Sequence, residues 1–201
     1  MTASAERHKA KMVKRKAAQD AEVASKSIVS KGLLIVHTGP GKGKSTAAFG
    51  LALRALGRGW KVGVVQFVKG AWETGERLAF ARFGEQIAWH TMGEGFTWET
   101  QDRARDVAAA SAAWRKAREL MEDASIRLLI LDELNIALRY SYLPLAEIVA
   151  ALQARRDDLH IIVTGRNAKP EMIAAADLVT EMSLVKHHFA AGVKAQEGIE
   201  F

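Results

Sequence analysis

The chain has 201 residues, no cysteine and only three prolines. Without a thiol there is no disulfide framework, no thiolate zinc site, no iron–sulfur cluster and no cysteine nucleophile. Electrons for any redox step must therefore come from another molecule. No stretch approaches the ~18–20 uninterrupted apolar residues of a membrane-spanning helix. The first thirty residues also lack the apolar h-region of a secretory signal, and Glu6, Asp20 and Glu22 argue against an organellar transit peptide. The chain reads as cytoplasmic, with no membrane partner.

What is present suits one core. Hydrophobic residues make up 49% of the sequence, and the length fits a single domain. The net charge of +6 suggests a nucleic-acid partner until it is located. Residues 1–31 carry eight Lys/Arg against three acids, among them Arg7, Lys9, Lys11, Lys14, Arg15 and Lys16, whereas the remainder carries 21 against 20. The body is neutral and the basicity belongs to a leader, so no nucleic-acid partner is expected. Residues 1–31 read as a basic flexible arm and residues 32–201 as the folded domain.

Along that domain, short apolar runs alternate with longer helical patterns, the signature of a mostly parallel α/β sheet with helices on both faces. Strands are predicted at 33–37, 62–67, 87–91, 128–131, 159–164 and 178–184. Helices are predicted at 45–56, 73–83, 100–123, 145–155 and 172–176. Thr97 or Thr100 is the expected cap of the long third helix, and Pro144 suits the first turn of the fourth.

The most informative segment joins the first strand to the first helix: Thr38-Gly39-Pro40-Gly41-Lys42-Gly43-Lys44-Ser45-Thr46. Gly-Lys-Ser at a helix start supplies backbone N–H groups and the positive end of a helix dipole for anionic oxygens. Lys44 can reach β/γ oxygens, and Ser45 can offer its hydroxyl to Mg²⁺. Thr38 stands where the strict phosphate-loop pattern has its first glycine, and Lys42 adds a further positive charge. Downstream, Leu128 to Leu131 delivers Asp132 and Glu133 at a strand end, where one carboxylate can hold Mg²⁺ directly or through water. Together these features predict Mg–nucleoside triphosphate binding on a phosphate-loop NTPase fold of RecA-like type.

They do not say what becomes of the triphosphate. A RecA-like ATPase, a small-molecule kinase and a nucleic-acid-binding ATPase all share them. Gly93 to Thr100 is a glycine-hinged loop carrying Phe96 and Trp98, which serve either as core anchors or as a flat apolar surface for a planar ligand. His37 and His160 lie in or beside core strands and read as packed residues. The single histidines carry no metal-ligand spacing; the adjacent His187 and His188 are more suggestive of a metal, but two adjacent histidines point different ways in any regular structure.

With these segments in hand, the sequence resembles the phosphate-loop ATP:corrinoid adenosyltransferases of cobalamin biosynthesis. The resemblance is carried by 38–50, Gly95-Phe96-Thr97-Trp98-Glu99-Thr100, Leu131-Asp132-Glu133-Leu134-Asn135, Tyr142-Leu143-Pro144-Leu145 and Val163-Thr164-Gly165-Arg166. It continues through 176–182, Val185-Lys186-His187-His188-Phe189 and 191–199, and it includes the leader around Arg7 to Met12. It implies that Co(I) of a corrinoid attacks C5′ of ATP and that the whole tripolyphosphate leaves. The corrinoid would be cobyrinic acid a,c-diamide, cobinamide or cobalamin. Gly39, Pro40, Gly41, Lys42, Gly43, Lys44, Ser45 and Thr46 would then bind ATP. Ser45 and Glu133, with Asp132 near them, would hold Mg²⁺ or Mn²⁺. By the same resemblance, Phe96 and Trp98 displace the lower cobalt ligand, leaving a four-coordinate Co(II) that is easier to reduce. An external electron donor such as a reduced flavoprotein, a homodimer and an arm folding over the corrinoid are implied as well.

Overall fold

The computed structural model describes residues 3–27, 30–68, 74–92 and 102–200. The chain divides into two compact units, Met1–Lys31 and Gly32–Phe201. In the first, helix α1 (Ala3–Ala24) forms where the charge pattern alone suggested only a flexible arm. Its Ala, Lys and Glu residues are strong helix formers, and no Gly or Pro interrupts it. Lys16–Asp20 at 3.3 Å and Lys26–Glu22 at 3.6 Å are ion pairs four residues apart, on the surface.

The second unit is an α/β fold on one six-stranded, all-parallel sheet. Strand β1 (Leu34–Thr38) leads into α2 (Lys44–Leu56), and β2 (Lys61–Gln66) into α3 (Gly75–Ala81). Then come β3 (Ile87–Thr91), α4 (Arg103–Glu122), β4 (Ile126–Asp132), α5 (Leu134–Arg139), α6 (Leu145–Gln153), β5 (His160–Thr164), α7 (Pro170–Ala175) and β6 (Leu178–Glu181). The strand order is β3-β2-β4-β5-β1-β6.

Because side chains alternate along a strand, each strand feeds two cores. Ile35, Val62, Val64, Leu128, Ile130 and Ile162 pack against Ala48, Phe49, Ala52 and Leu56 of α2 and Phe80 of α3. Val36, Val65, Leu129, Leu131, Ile161 and Val163 face the other way, toward Ala113 and Ala117 of α4, Leu134 and Leu138 of α5, and Ile148 and Leu152 of α6. This two-sided burial is why the strands read as unbroken apolar runs. β6 departs from it: all four of its residues are exposed.

Arginines tie the ends of the elements opposite the loop that follows β1. Arg156 donates to the carbonyls of Met121, Asp123 and Ile126 at 2.6, 2.9 and 2.7 Å, joining the end of α4 to the start of β4. Arg155 bonds Gly32 O at 2.6 Å and Asp177 at 2.9 Å, and Asp177 in turn accepts from Leu34 N. The cap of α4 is Asp102, which accepts from Ala104 N and Arg105 N, rather than Thr97 or Thr100. An Asp just before the helix can accept from two of its orphan amides, a geometry that residues two or more positions further out do not reach.

Burial lowers the pKa of His37, His90 and His160 below the usual 6.5. A folded imidazole here binds its proton less readily than an unfolded one, so unfolding takes up protons. Stability is therefore expected to be full above about pH 6.5 and to fall as the pH drops through it toward the lowered folded values. Chemical unfolding at about pH 7 and about pH 5 checks this; equal stabilities would contradict it.

Candidate functional site

In a parallel sheet, loops that leave the C-terminal strand ends share one edge, and ligands bind there. At this edge the loop after β1 faces residues that follow β4 and β5 across a cleft of about 560 Å³. The parallel register explains which residues meet. Gln66 pairs with Asp132, Leu131 with Val163, and His37 with Thr164, so the last residues of β2, β4 and β5 come level with the loop.

The loop is laid against the chain leaving β6. Met182 N donates to Thr38 O at 2.9 Å, and Gly41 N donates to Met182 O at 2.6 Å. Gly39 has φ 96°, and a Cβ there would stand 2.5 Å from Met182 O, so both conformation and space require glycine. Pro40 is exposed on the outside of the turn. Gly43 caps α2 without a side chain, leaving the first-turn amides directed toward an anion position.

Lys44 is buried and its ammonium donates to Gly39 O at 3.0 Å and to Gly41 O. Burial pulls its pKa down; the Glu133 carboxylate opposes that, while Arg166 and Lys42 add to it. A cation held under that penalty gains from any anion that arrives beside it.

Behind the loop sits Asp132, fully buried. Its Oδ1 accepts from Ser45 Oγ at 2.7 Å and from Thr164 Oγ1 at 2.8 Å, and its Oδ2 accepts from Gln66 Nε2 at 3.0 Å. Gln66 Oε1 in turn accepts from Trp89 Nε1 at 3.2 Å and Thr91 Oγ1 at 3.0 Å. With its hydrogen bond donated to Asp132, the Ser45 hydroxyl presents lone pairs toward the cleft. Glu133 lines that cleft directly. It is turned inward by a left-handed φ of 63°, a strained conformation for a side chain of this size, while its N–H donates to Thr164 Oγ1 at 2.9 Å. Gly165 makes room: a Cβ there would lie 3.0 Å from Glu133 Oε2 and 2.9 Å from Asn135 Cβ.

The structure thus gathers Gly41, Lys42, Gly43, Lys44, Ser45, Thr46 and Glu133 around one cleft, with Asp132 one layer behind. Phe96 and Trp98 lie outside the described residues. His187 and His188 are engaged otherwise: His187 Nδ1 accepts from Phe189 N at 3.1 Å, and His188 Nε2 lies 3.3 Å from Glu200. Sequence reasoning gave no role to Gln66, Arg139, Arg166 or Glu200. Gln66 is the polar side chain that closes the apolar run of β2, and Arg166 follows a glycine at a strand end; both are readable signals. Arg139, stacked over Tyr140 with 5.4 Å to the ring centroid, sits on the six-residue α5, which the pattern did not show.

Residues 30–201 match the family model "ATP:corrinoid adenosyltransferase BtuR/CobO/CobP". Residues 1–23 match "Cob(I)alamin adenosyltransferase N terminal". The chain is similar to the corrinoid adenosyltransferase of Pseudomonas aeruginosa, at 57% identity over 98% of this chain and 96% of that protein. It is likewise similar to those of a Sinorhizobium species, at 54% over 97% and 92%, and of Escherichia coli, at 46% over 98% and 100%.

The close approach at Gly39 generates a test. Gly39→Ala is expected to lose about 2 kcal/mol of stability and to weaken ATP binding, because the loop must move off Met182. Urea unfolding and nucleotide titration check this. A variant as stable as the parent, with unchanged affinity, would contradict the geometry.

Proposed function

The chain belongs to the ATP:corrinoid adenosyltransferase family, and we propose that it joins the 5′-deoxyadenosyl group of ATP to Co(I) of a corrinoid with release of intact tripolyphosphate. The Co(I) electron pair forms the bond to C5′, the C5′–O bond breaks, and its pair leaves on the triphosphate oxygen. The observation that carries this reading is the cleft, which gathers loop amides, Lys44 and the Ser45 hydroxyl opposite Glu133. This arrangement suits holding a polyanion as a leaving group. The substrate brings its own nucleophile, so the protein's tasks are alignment of C5′ with cobalt and stabilisation of the charge that develops on the triphosphate. The preferred corrinoid is proposed to be cobyrinic acid a,c-diamide, cobinamide or cobalamin.

The ATP-binding set is Gly39, Pro40, Gly41, Lys42, Gly43, Lys44, Ser45 and Thr46, on what we take to be a RecA-like phosphate-loop fold. The donors fit Mg²⁺ or Mn²⁺, since a hydroxyl and carboxylates are hard oxygen ligands and Ser45 Oγ donates to Asp132, which leaves its lone pairs for a cation. We assign the metal to Ser45 and Glu133, with Asp132 orienting the serine. Bound there, the cation would neutralise charge on the phosphates. Phe96 and Trp98 are assigned to the lower face of the corrinoid, where apolar side chains fill the vacated position without supplying a donor atom. An external donor such as a reduced flavoprotein supplies the electron, and residues 1–31 act as a basic arm for a ligand rich in amides and carboxylates. The enzyme is proposed to work in the cytoplasm as a homodimer. The exposed apolar residues Leu178, Val179 and Val185 at and beyond the β6 edge support the dimer.

Lys44→Ala is expected to lower adenosyl transfer at saturating ATP by about 100-fold or more, the usual cost of removing a charged transition-state donor. Retained transfer would overturn the assignment of the loop. Trp98→Ala is expected to impair transfer from Co(II) corrinoid with an enzymatic reductant far more than from chemically reduced Co(I). Equal losses in the two assays would make Trp98 a residue of the fold alone.

A further inference from the structure

The chain beyond β6 returns to the nucleotide loop. A short 3₁₀ turn, His188–Ala191, ends in a left-handed Gly192, and Val193 N closes onto His188 O at 3.1 Å. A second turn, with Glu200 N donating to Gln196 O at 2.9 Å, sets the last described residues against the loop. Their burial runs against hydropathy. Ile199 is 80% exposed, whereas the Glu200 side chain is only 15% exposed.

Glu200 is tucked in because it accepts from the ammonium of Lys42, with His188 Nε2 at 3.3 Å on its other oxygen. The bond from Lys42 holds the Glu200 carboxyl below its ordinary pKa, so it is ionised at neutral pH. Lys42 is the loop's extra cation, half exposed, three residues before Ser45. The cleft is lined by four cationic side chains, Lys42, Lys44, Arg139 and Arg166, against three carboxylates, Glu76, Glu133 and Glu200. Glu133 faces Lys44, and Glu200 occupies Lys42. A triphosphate entering this cleft meets a loop lysine already bonded to an internal anion.

We propose that Glu200 is an intramolecular competitor for Lys42, which yields the lysine when a polyphosphate binds and reclaims it when the polyphosphate departs. The first half rests on the Lys42–Glu200 contact alone. The second deepens the proposed function, because a tripolyphosphate leaving group keeps every anionic oxygen that the loop recognises. Tight retention of that product would slow each turnover, and an internal carboxylate that takes back Lys42 weakens the hold on it. Glu200 is in this sense a positioning residue, acting through Lys42.

Calorimetric titration of the full chain with inorganic tripolyphosphate, and separately with ATP and Mg²⁺, tests this. Glu200→Gln and Glu200→Ala are each expected to tighten tripolyphosphate binding about fivefold, the upper range for an ion pair that is partly exposed. In a Lys42→Ala background the same substitutions should change affinity by less than about twofold, because the competed group is gone. In steady-state transfer to Co(I) corrinoid, Glu200→Gln should lower kcat while leaving the single-turnover rate unchanged. Unchanged or weaker tripolyphosphate binding in Glu200→Gln would overturn the proposal, as would tightening that persists without Lys42. If tripolyphosphate binds more tightly to Glu200→Gln but the parent chain alkylates no corrinoid, the competition stands and the proposed function falls. If the parent alkylates corrinoid and Glu200→Gln binds no tighter, the competition alone falls.

Discussion

Asp132 brings a carboxylate into the fully buried interior, and the C-terminal edge of the sheet is arranged around it. An isolated buried charge costs several kcal/mol, and only good geometry with full hydrogen bonding offsets this. Three donors from three elements supply that here: Ser45 from α2, Gln66 from β2 and Thr164 from β5. None is near Asp132 in sequence. The parallel register of β2, β4 and β5 brings Gln66 and Thr164 alongside, and the packing of α2 on the sheet brings Ser45. A slip of any one strand would separate a donor from the buried charge, so fold and site are specified by the same interaction.

Around that anchor the site accepts local costs. Gly39 and Gly43 take left-handed conformations, Glu133 does so with a full side chain, and Lys44 is buried against its own preference for water. Each has a reason at the level of function. The left-handed residues aim N–H groups and a carboxylate at one volume, and the desolvated ammonium recovers its charge stabilisation when an anion enters. The two cores on either side of the sheet, filled by Val, Ile and Leu from every interior strand, hold those strained positions in place.

The sheet was legible because its interior strands are buried on both faces, which leaves runs such as Leu128–Leu131 without a polar interruption. The glycine-rich loop after β1 was legible for a local reason: its glycines, Lys44 and Ser45 are contiguous. What could not be read was non-local or short. α5 spans six residues, too few for a helical period to register. The cap of α4 fell on Asp102 because capping depends on backbone geometry at one residue, and several polar residues nearby had the right chemistry. β6 shares the composition of its neighbours yet is exposed, and burial depends on what packs over an edge strand. Glu200 has no sequence signal at all. Its significance comes from a loop lysine 158 positions away. Phe96 and Trp98 lie outside the described residues, so their role rests on the resemblance of their loop to the family's.

The central claim is that the loop holds a triphosphate as an intact leaving group while cobalt takes C5′. Phosphorus NMR of a single turnover, with ATP, Mg²⁺ and chemically reduced Co(I) cobyrinic acid a,c-diamide, tests it most directly when the cobalt–carbon product is followed optically in the same sample. The account predicts tripolyphosphate resonances appearing in one-to-one proportion with alkylated corrinoid, and no orthophosphate or ADP. Orthophosphate and ADP without a cobalt–carbon bond would contradict it and make the same cleft that of a hydrolase.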